Sequence, residues 1–191
     1  MELAHLPETA GPVLLGLARD ALRTRLLDAP AASAPTEPWL DAALACFVTL
    51  TVDGELRGCI GGLRPGDRLR DEVPRKAVQA ALEDPRFSPL PPSEIDAVRL
   101  EVSVLGPLEP LSVGSRSELE AALVPGRDGV LLEAGHRQGT FLPQVWDNLP
   151  TPTRFLDALW RKTGLGSREW PAELRVLRYG VRCWEEPEDR S

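Results

Sequence analysis

The residues best suited to chemistry in this chain lie in one short run, Leu56-Arg57-Gly58-Cys59-Ile60-Gly61. A thiol two residues from a guanidinium favours the thiolate, which is the nucleophilic form of cysteine. The glycines at 58 and 61 bare backbone N–H groups that can hold an anion. The competing structural reading is that Cys59 is a small buried hydrophobe, the usual fate of an unoxidised cysteine. Cys46 falls inside an apolar strand pattern. Cys183 alternates in phase with Leu177, Tyr179 and Val181. Both are expected to be core residues that resist alkylation until the chain unfolds.

Other chemistries find little support. Of the two histidines, His5 lies near the N-terminus and His136 stands alone on a Gly-His-Arg-Gln-Gly turn. A zinc site needs three or four ligands, so neither a metal nor another cofactor is expected. The chain has no Gly-x-Ser-x-Gly elbow, no Gly-x-Gly-x-x-Gly and no P-loop. Glu101 reads as an ion-paired or solvated strand residue. Arg86 in Asp84-Pro85-Arg86-Phe87 and Gln144 in Phe141-Leu142-Pro143-Gln144-Val145 sit in runs that tight packing corners explain equally well.

The elements that position these residues follow from periodicity. Leu14, Leu15, Ala18, Leu22 and Leu26 recur at helical spacing, predicting an amphipathic helix over 13–27 that ends before Pro30. Residues 44–52 and 55–60 are strand patterns separated by Asp53-Gly54, a strong hairpin signal. A helix is expected over 67–83, either kinked at Pro74 or split into two short helices there. Val98, Leu100, Val102 and Val104 alternate with Arg99, Glu101 and Ser103, predicting a half-buried strand. A short helix over 117–123, a strand near 129–134, a turn over 135–139 and a helix over 152–163 capped by Gly164 follow. One last strand over 174–184 precedes a charged tail, 185–191. Strand parity places Arg57 and Cys59 on one face and Leu56, Gly58 and Ile60 on the other. An opening hairpin among interspersed helices indicates an α+β domain with an antiparallel or mixed sheet flanked by helices.

The 191 residues suit a single domain that buries roughly 70% of its unfolded surface. Net charge is −7, and 20 of the 22 cations are arginines scattered along the chain, the others being Lys76 and Lys162. No basic face tracks a phosphate backbone, so nucleic acid is not an expected partner. A salt-titrated fluorescence polarisation assay is expected to find no submicromolar binding; tight binding with a steep salt slope would overturn this. No apolar run approaches the ~20 residues that span a bilayer, so no membrane role is expected. The opening Met1-Glu2-Leu3-Ala4-His5 lacks a signal-peptide n-region. Three widely spaced cysteines point to a reducing compartment, hence the cytoplasm.

Five blocks then combine into a recognisable pattern. Phe47-Val48-Thr49-Leu50 leads through Asp53-Gly54 to Leu56-Arg57-Gly58-Cys59-Ile60-Gly61, and Asp84-Pro85-Arg86-Phe87 leads to Pro89-Leu90. Glu101-Val102-Ser103-Val104-Leu105 and Gly139-Thr140-Phe141-Leu142-Pro143-Gln144-Val145 follow. Phe155-Leu156 and Lys162-Thr163-Gly164-Leu165 close the series. In this order, over about 40–184, the blocks resemble the AMMECR domain family. Its prokaryotic members look like protein A of the AmmeMemoRadiSam system. The resemblance implies an α+β fold, with Arg57, Cys59, Arg86, Glu101 and Gln144 at motif positions. It also implies Memo-like and radical-SAM proteins as possible partners, and it supplies no reaction. The leading expectation is an enzyme or enzyme subunit with Cys59 as nucleophile or redox-active thiolate and Glu101 as acid/base or orienting carboxylate. Arg57, Gly58, Gly61, Arg86 and Gln144 would bind a small-molecule substrate. The alternative is a non-catalytic docking module in which the Leu56–Gly61 run is structural.

Overall fold

The computed structural model describes residues 3–33, 35–166 and 170–187. Two compact units are present, residues 1–105 with 182–191, and residues 106–181.

In the first unit, β1 (Cys46–Val52) and β2 (Glu55–Gly61) form the expected hairpin. Asp53 and Gly54 have φ of 51° and 78°, the left-handed pair that a two-residue turn of this hand demands. β3 (Arg99–Leu105) pairs antiparallel with the other edge of β1, and β8 (Val181–Glu185) completes a sheet of order β2-β1-β3-β8. Cys46, Val48, Leu50, Leu100, Val102 and Val104 share one face and are buried. Helices α1 (Ala10–Leu27) and α2 (Leu69–Leu82) join that core through Leu14, Ala18 and Leu22 and through Leu69, Val73, Ala77 and Ala80. α1 closes on Asp28 in the left-handed conformation, two residues before Pro30. α2 is one helix that carries Pro74 in its interior rather than two short helices divided there. Proline has no N–H for the bond that would run back to Arg70.

The second unit is built on a sheet of order β4-β7-β5-β6, from β4 (Glu109–Pro110), β5 (Gly129–Ala134), β6 (Arg137–Phe141) and β7 (Arg175–Tyr179). Its core gathers Val130, Leu132, Val176, Trp146, Phe155, Leu159 and Trp160, with helices α3 (Arg116–Ala122) and α4 (Pro152–Thr163). Ser115 caps α3 by accepting the Glu118 N–H, and Gly164 ends α4 in the left-handed conformation. The sheets are antiparallel wherever the register is defined, so the fold is α+β as expected.

Three expectations change. The last strand divides at Gly180 into β7 and β8, which belong to different sheets. The alternation that linked Cys183 to Tyr179 therefore breaks, and Cys183 is exposed rather than in the core. The turn after β5 is confined to Gly135-His136, and residues 137–139 are already strand. Of the expected charged tail, 188–191 lie outside the described residues.

Candidate functional site

The register of the first sheet aligns three side chains. Thr49 pairs with Cys59 on one side and with Glu101 on the other. All three stand on the face opposite the helices, and all are partly exposed. The Thr49 hydroxyl donates to the Cys59 sulfur at 3.3 Å. Glu101 lies two strand spacings from Cys59, roughly 9.5 Å between Cα atoms, too far to take the thiol proton directly. Its Oε1 accepts the Ser103 hydroxyl at 3.1 Å. The neighbouring row is Gly61, Phe47 and Ser103. A Cβ on Gly61 would stand 2.3 Å from the Phe47 ring, so this glycine lets the ring lie against β2.

Outside β2 lies a carboxylate that sequence reasoning missed. Asp84 is buried, and its Oδ2 accepts the Cys59 N–H at 2.9 Å. Arg86 donates to both carboxylate oxygens at 2.7 and 3.0 Å, and to the Cys59 carbonyl at 3.3 Å. The Arg86 hydrogen bond holds the Asp84 carboxyl well below the usual carboxylate range; burial opposes this, and the N–H groups of Cys59 and Arg86 reinforce it. Arg86 is in turn raised, chiefly by its bond to Asp84, with a smaller contribution from the Cys59 side chain. The cation that touches Cys59 is therefore Arg86, through the Cys59 carbonyl. Its Nη1 makes no hydrogen bond among the described residues, and the side chain is 53% exposed.

Arg57 is engaged elsewhere. The register steps from Leu50↔Gly58 to Thr51↔Leu56, leaving Arg57 as the extra residue of a β-bulge. Parity is reset there, so Leu56 joins the face of Thr51 and Cys59 instead of that of Gly58 and Ile60. The Arg57 guanidinium reaches Glu94 at 3.3 Å and the Ser88 carbonyl at 2.9 Å, pinning the segment that carries Asp84 and Arg86. Gly58 is buried on the helix side, where a Cβ would stand 2.1 Å from the Ala80 carbonyl oxygen of α2. Its small size serves packing. Gln144 belongs to the second unit, on the 3-10 turn Pro143–Asp147, followed by Trp146 stacked on Phe155 at 3.8 Å.

Cys46 is buried as expected, and burial, with a smaller contribution from Glu72, pushes its thiol up to about 12. The cysteines should now separate two to one. Iodoacetamide is expected to add to Cys59 and Cys183 in the native protein and to Cys46 only after denaturation. Intact and peptide mass spectrometry would read this, and native labelling of Cys46 would contradict the assignment. His136 is exposed at the β5–β6 turn. Among the described residues there is no group of three or more metal-ligating side chains, and no helix is long and apolar enough to cross a membrane.

Thr49 and Asp84 are the site residues that the sequence did not disclose, whereas alternation already set Ser103 beside Glu101. The Thr49 signal was available in the hairpin register, because counting back from Asp53-Gly54 brings it close to Cys59.

A helix-backed antiparallel sheet bearing a partly exposed thiol, with its outer strand bracketed by Asp84 and Arg86, defines the architectural class. The chain belongs to the AMMECR1 family, whose model matches residues 15–184. A protein of Thermofilum pendens is 37% identical, across 96% of this chain and 93% of that one. One of Methanothermobacter thermautotrophicus is 35% identical, across 97% and 99%. The crystal structure of the uncharacterized protein PH0010 from Pyrococcus horikoshii superposes with a TM-score of 0.85 at 32% identity, covering 97% of this chain and 96% of that one.

Proposed function

We propose that this AMMECR1-family protein is an enzyme, or the catalytic subunit of one, that acts on a small molecule at a thiol site centred on Cys59 in the cytoplasm. The observation that carries the reading is the row Cys59, Thr49 and Glu101 on three adjacent strands. Cys59 is the nucleophile. Thr49 lends its hydroxyl proton to the sulfur and fixes its position. Arg86 offers its remaining Nη1 protons to the substrate. Glu101 acts on a substrate atom beyond Thr49, because it stands too far away to act on the thiol. Arg57, Gly58 and Gly61 set the shape and position of β2, and Gln144 keeps a substrate-binding role within the second unit. Association with Memo-like and radical-SAM proteins is part of the proposal and rests on the motif resemblance.

The test is the rate at which Cys59 reacts with iodoacetamide at pH 7, measured against Cys183 in the same molecule. Cys59 is expected to react faster than Cys183. Thr49→Val should slow it about three- to tenfold, consistent with the ~1 kcal/mol net worth of one hydrogen bond. A native Cys59 that does not react, with the fold intact, makes it a packing residue and leaves the docking-module reading.

A further inference from the structure

We propose that the substrate taken at the Cys59 row is cationic: a small molecule of the amine class whose ammonium group sits on Glu101 while its electrophilic atom meets the Cys59 sulfur. This deepens the thiol-site reading above and rests on it.

The inference follows from the charges around that face. Arg86 is neutralised by Asp84 at 2.7 Å, and Arg57 pairs with Glu94 at 3.3 Å. Arg99, two residues from Glu101 on the same face of β3, pairs with Glu185 at 3.2 Å. Glu101 has no ion pair among the described residues; its only described partner is the neutral Ser103 hydroxyl at 3.1 Å, on Oε1. One uncompensated negative charge therefore stands on the row, at the end opposite the thiol. The two Cα atoms are roughly 9.5 Å apart and both side chains stand off the sheet, so the charged and reacting atoms of the ligand would be several ångströms apart. Between them lies Thr49, whose oxygen lone pairs remain to accept from the ligand while its proton turns to sulfur. The Phe47 ring against Gly61 gives an apolar wall beside the reacting end. An anionic ligand would meet like charge at Glu101. A neutral one would leave that carboxylate uncompensated.

Methanethiosulfonate reagents of different charge test this on the full chain at pH 7. In each case the thiolate attacks the reagent sulfur, a disulfide forms and methanesulfinate leaves. The probes are the aminoethyl and aminohexyl reagents, the neutral methyl reagent and the sulfonatoethyl reagent. Rates at Cys59 are read by peptide mass spectrometry and divided by the rate at exposed Cys183, which reports the general field of an acidic chain. At least one amine reagent is expected to modify Cys59 at least about fivefold faster than the methyl reagent after this correction, and the sulfonate more slowly. Glu101→Gln should erase the difference while leaving Cys183 unchanged. Equal corrected rates in the native protein, or a preference that survives Glu101→Gln, overturn the inference and leave the thiol site standing. Failure of every reagent at Cys59 overturns both.

Discussion

Asp84→Asn should destabilise the protein by about 3 kcal/mol at neutral pH, one of the larger losses available from a single uncharging substitution. The carboxylate is buried and accepts four hydrogen bonds, from the Cys59 and Arg86 N–H groups and from two guanidinium nitrogens. An amide has one acceptor oxygen, and each carboxylate oxygen takes two of these donors, so its NH2 must face two of them and leave buried donors unmatched. The pH dependence has a definite sign. The Asp84 carboxyl is lowered in the folded protein, first by Arg86. Its contribution is therefore complete above the unfolded value of about 3.9 and is lost as pH falls below it towards the folded value. Urea denaturation at neutral pH and at several points below pH 4 should show the variant trailing the native protein at neutral pH and converging on it in acid. Parallel curves at all pH values would mean that Asp84 is not the linked group.

Gly58→Ala is expected to cost about 3 kcal/mol, the upper end for overpacking, because the obstruction is backbone. The added carbon would stand 2.1 Å from the Ala80 carbonyl oxygen and 3.0 Å from its carbon, and no rotamer change relieves that. Gly58 is not among the residues of positive φ, so the penalty is steric rather than conformational. Gly16 supplies the control: it lies within α1, and a methyl added there would meet nothing within 4 Å. Gly16→Ala is expected to stabilise by about 0.5–1 kcal/mol through helix propensity. A Gly58→Ala midpoint equal to the native one would show that α2 can retreat from β2 without loss.

These residues also mark how far the sequence was legible. The β1–β2 hairpin was readable because Asp53-Gly54 is local chemistry, and the faces of β3 because alternation is local too. The bulge at Arg57 was not, since an extra residue shows itself only against a partner strand; parity carried past it put Leu56 on the wrong face. Asp84 was hidden for a related reason, because its partner is a backbone N–H 25 residues away. The cation beside Cys59 was sought two residues off, at Arg57, when folding brings Arg86 to the Cys59 carbonyl instead. Cys183 was misplaced by carrying one alternation through Gly180, where the chain passes from one sheet to the other. The glycine was visible; that it divides two sheets was not.

The bracket of Asp84 and Arg86 around Cys59 has a consequence for self-association. β2 is the outermost strand of its sheet, and the N–H and C=O of Cys59 would otherwise point outwards as a vacant rung. A carboxylate and a guanidinium answer that rung as a neighbouring strand would, one accepting and one donating. The side chains thus act as a dummy strand that deters another chain from zippering on. Removing Asp84 unmasks the rung beside Leu56, which is 42% exposed. Such a variant would be prone to stack with its own kind, so its refolding yield should fall with protein concentration more steeply than its lost stability explains.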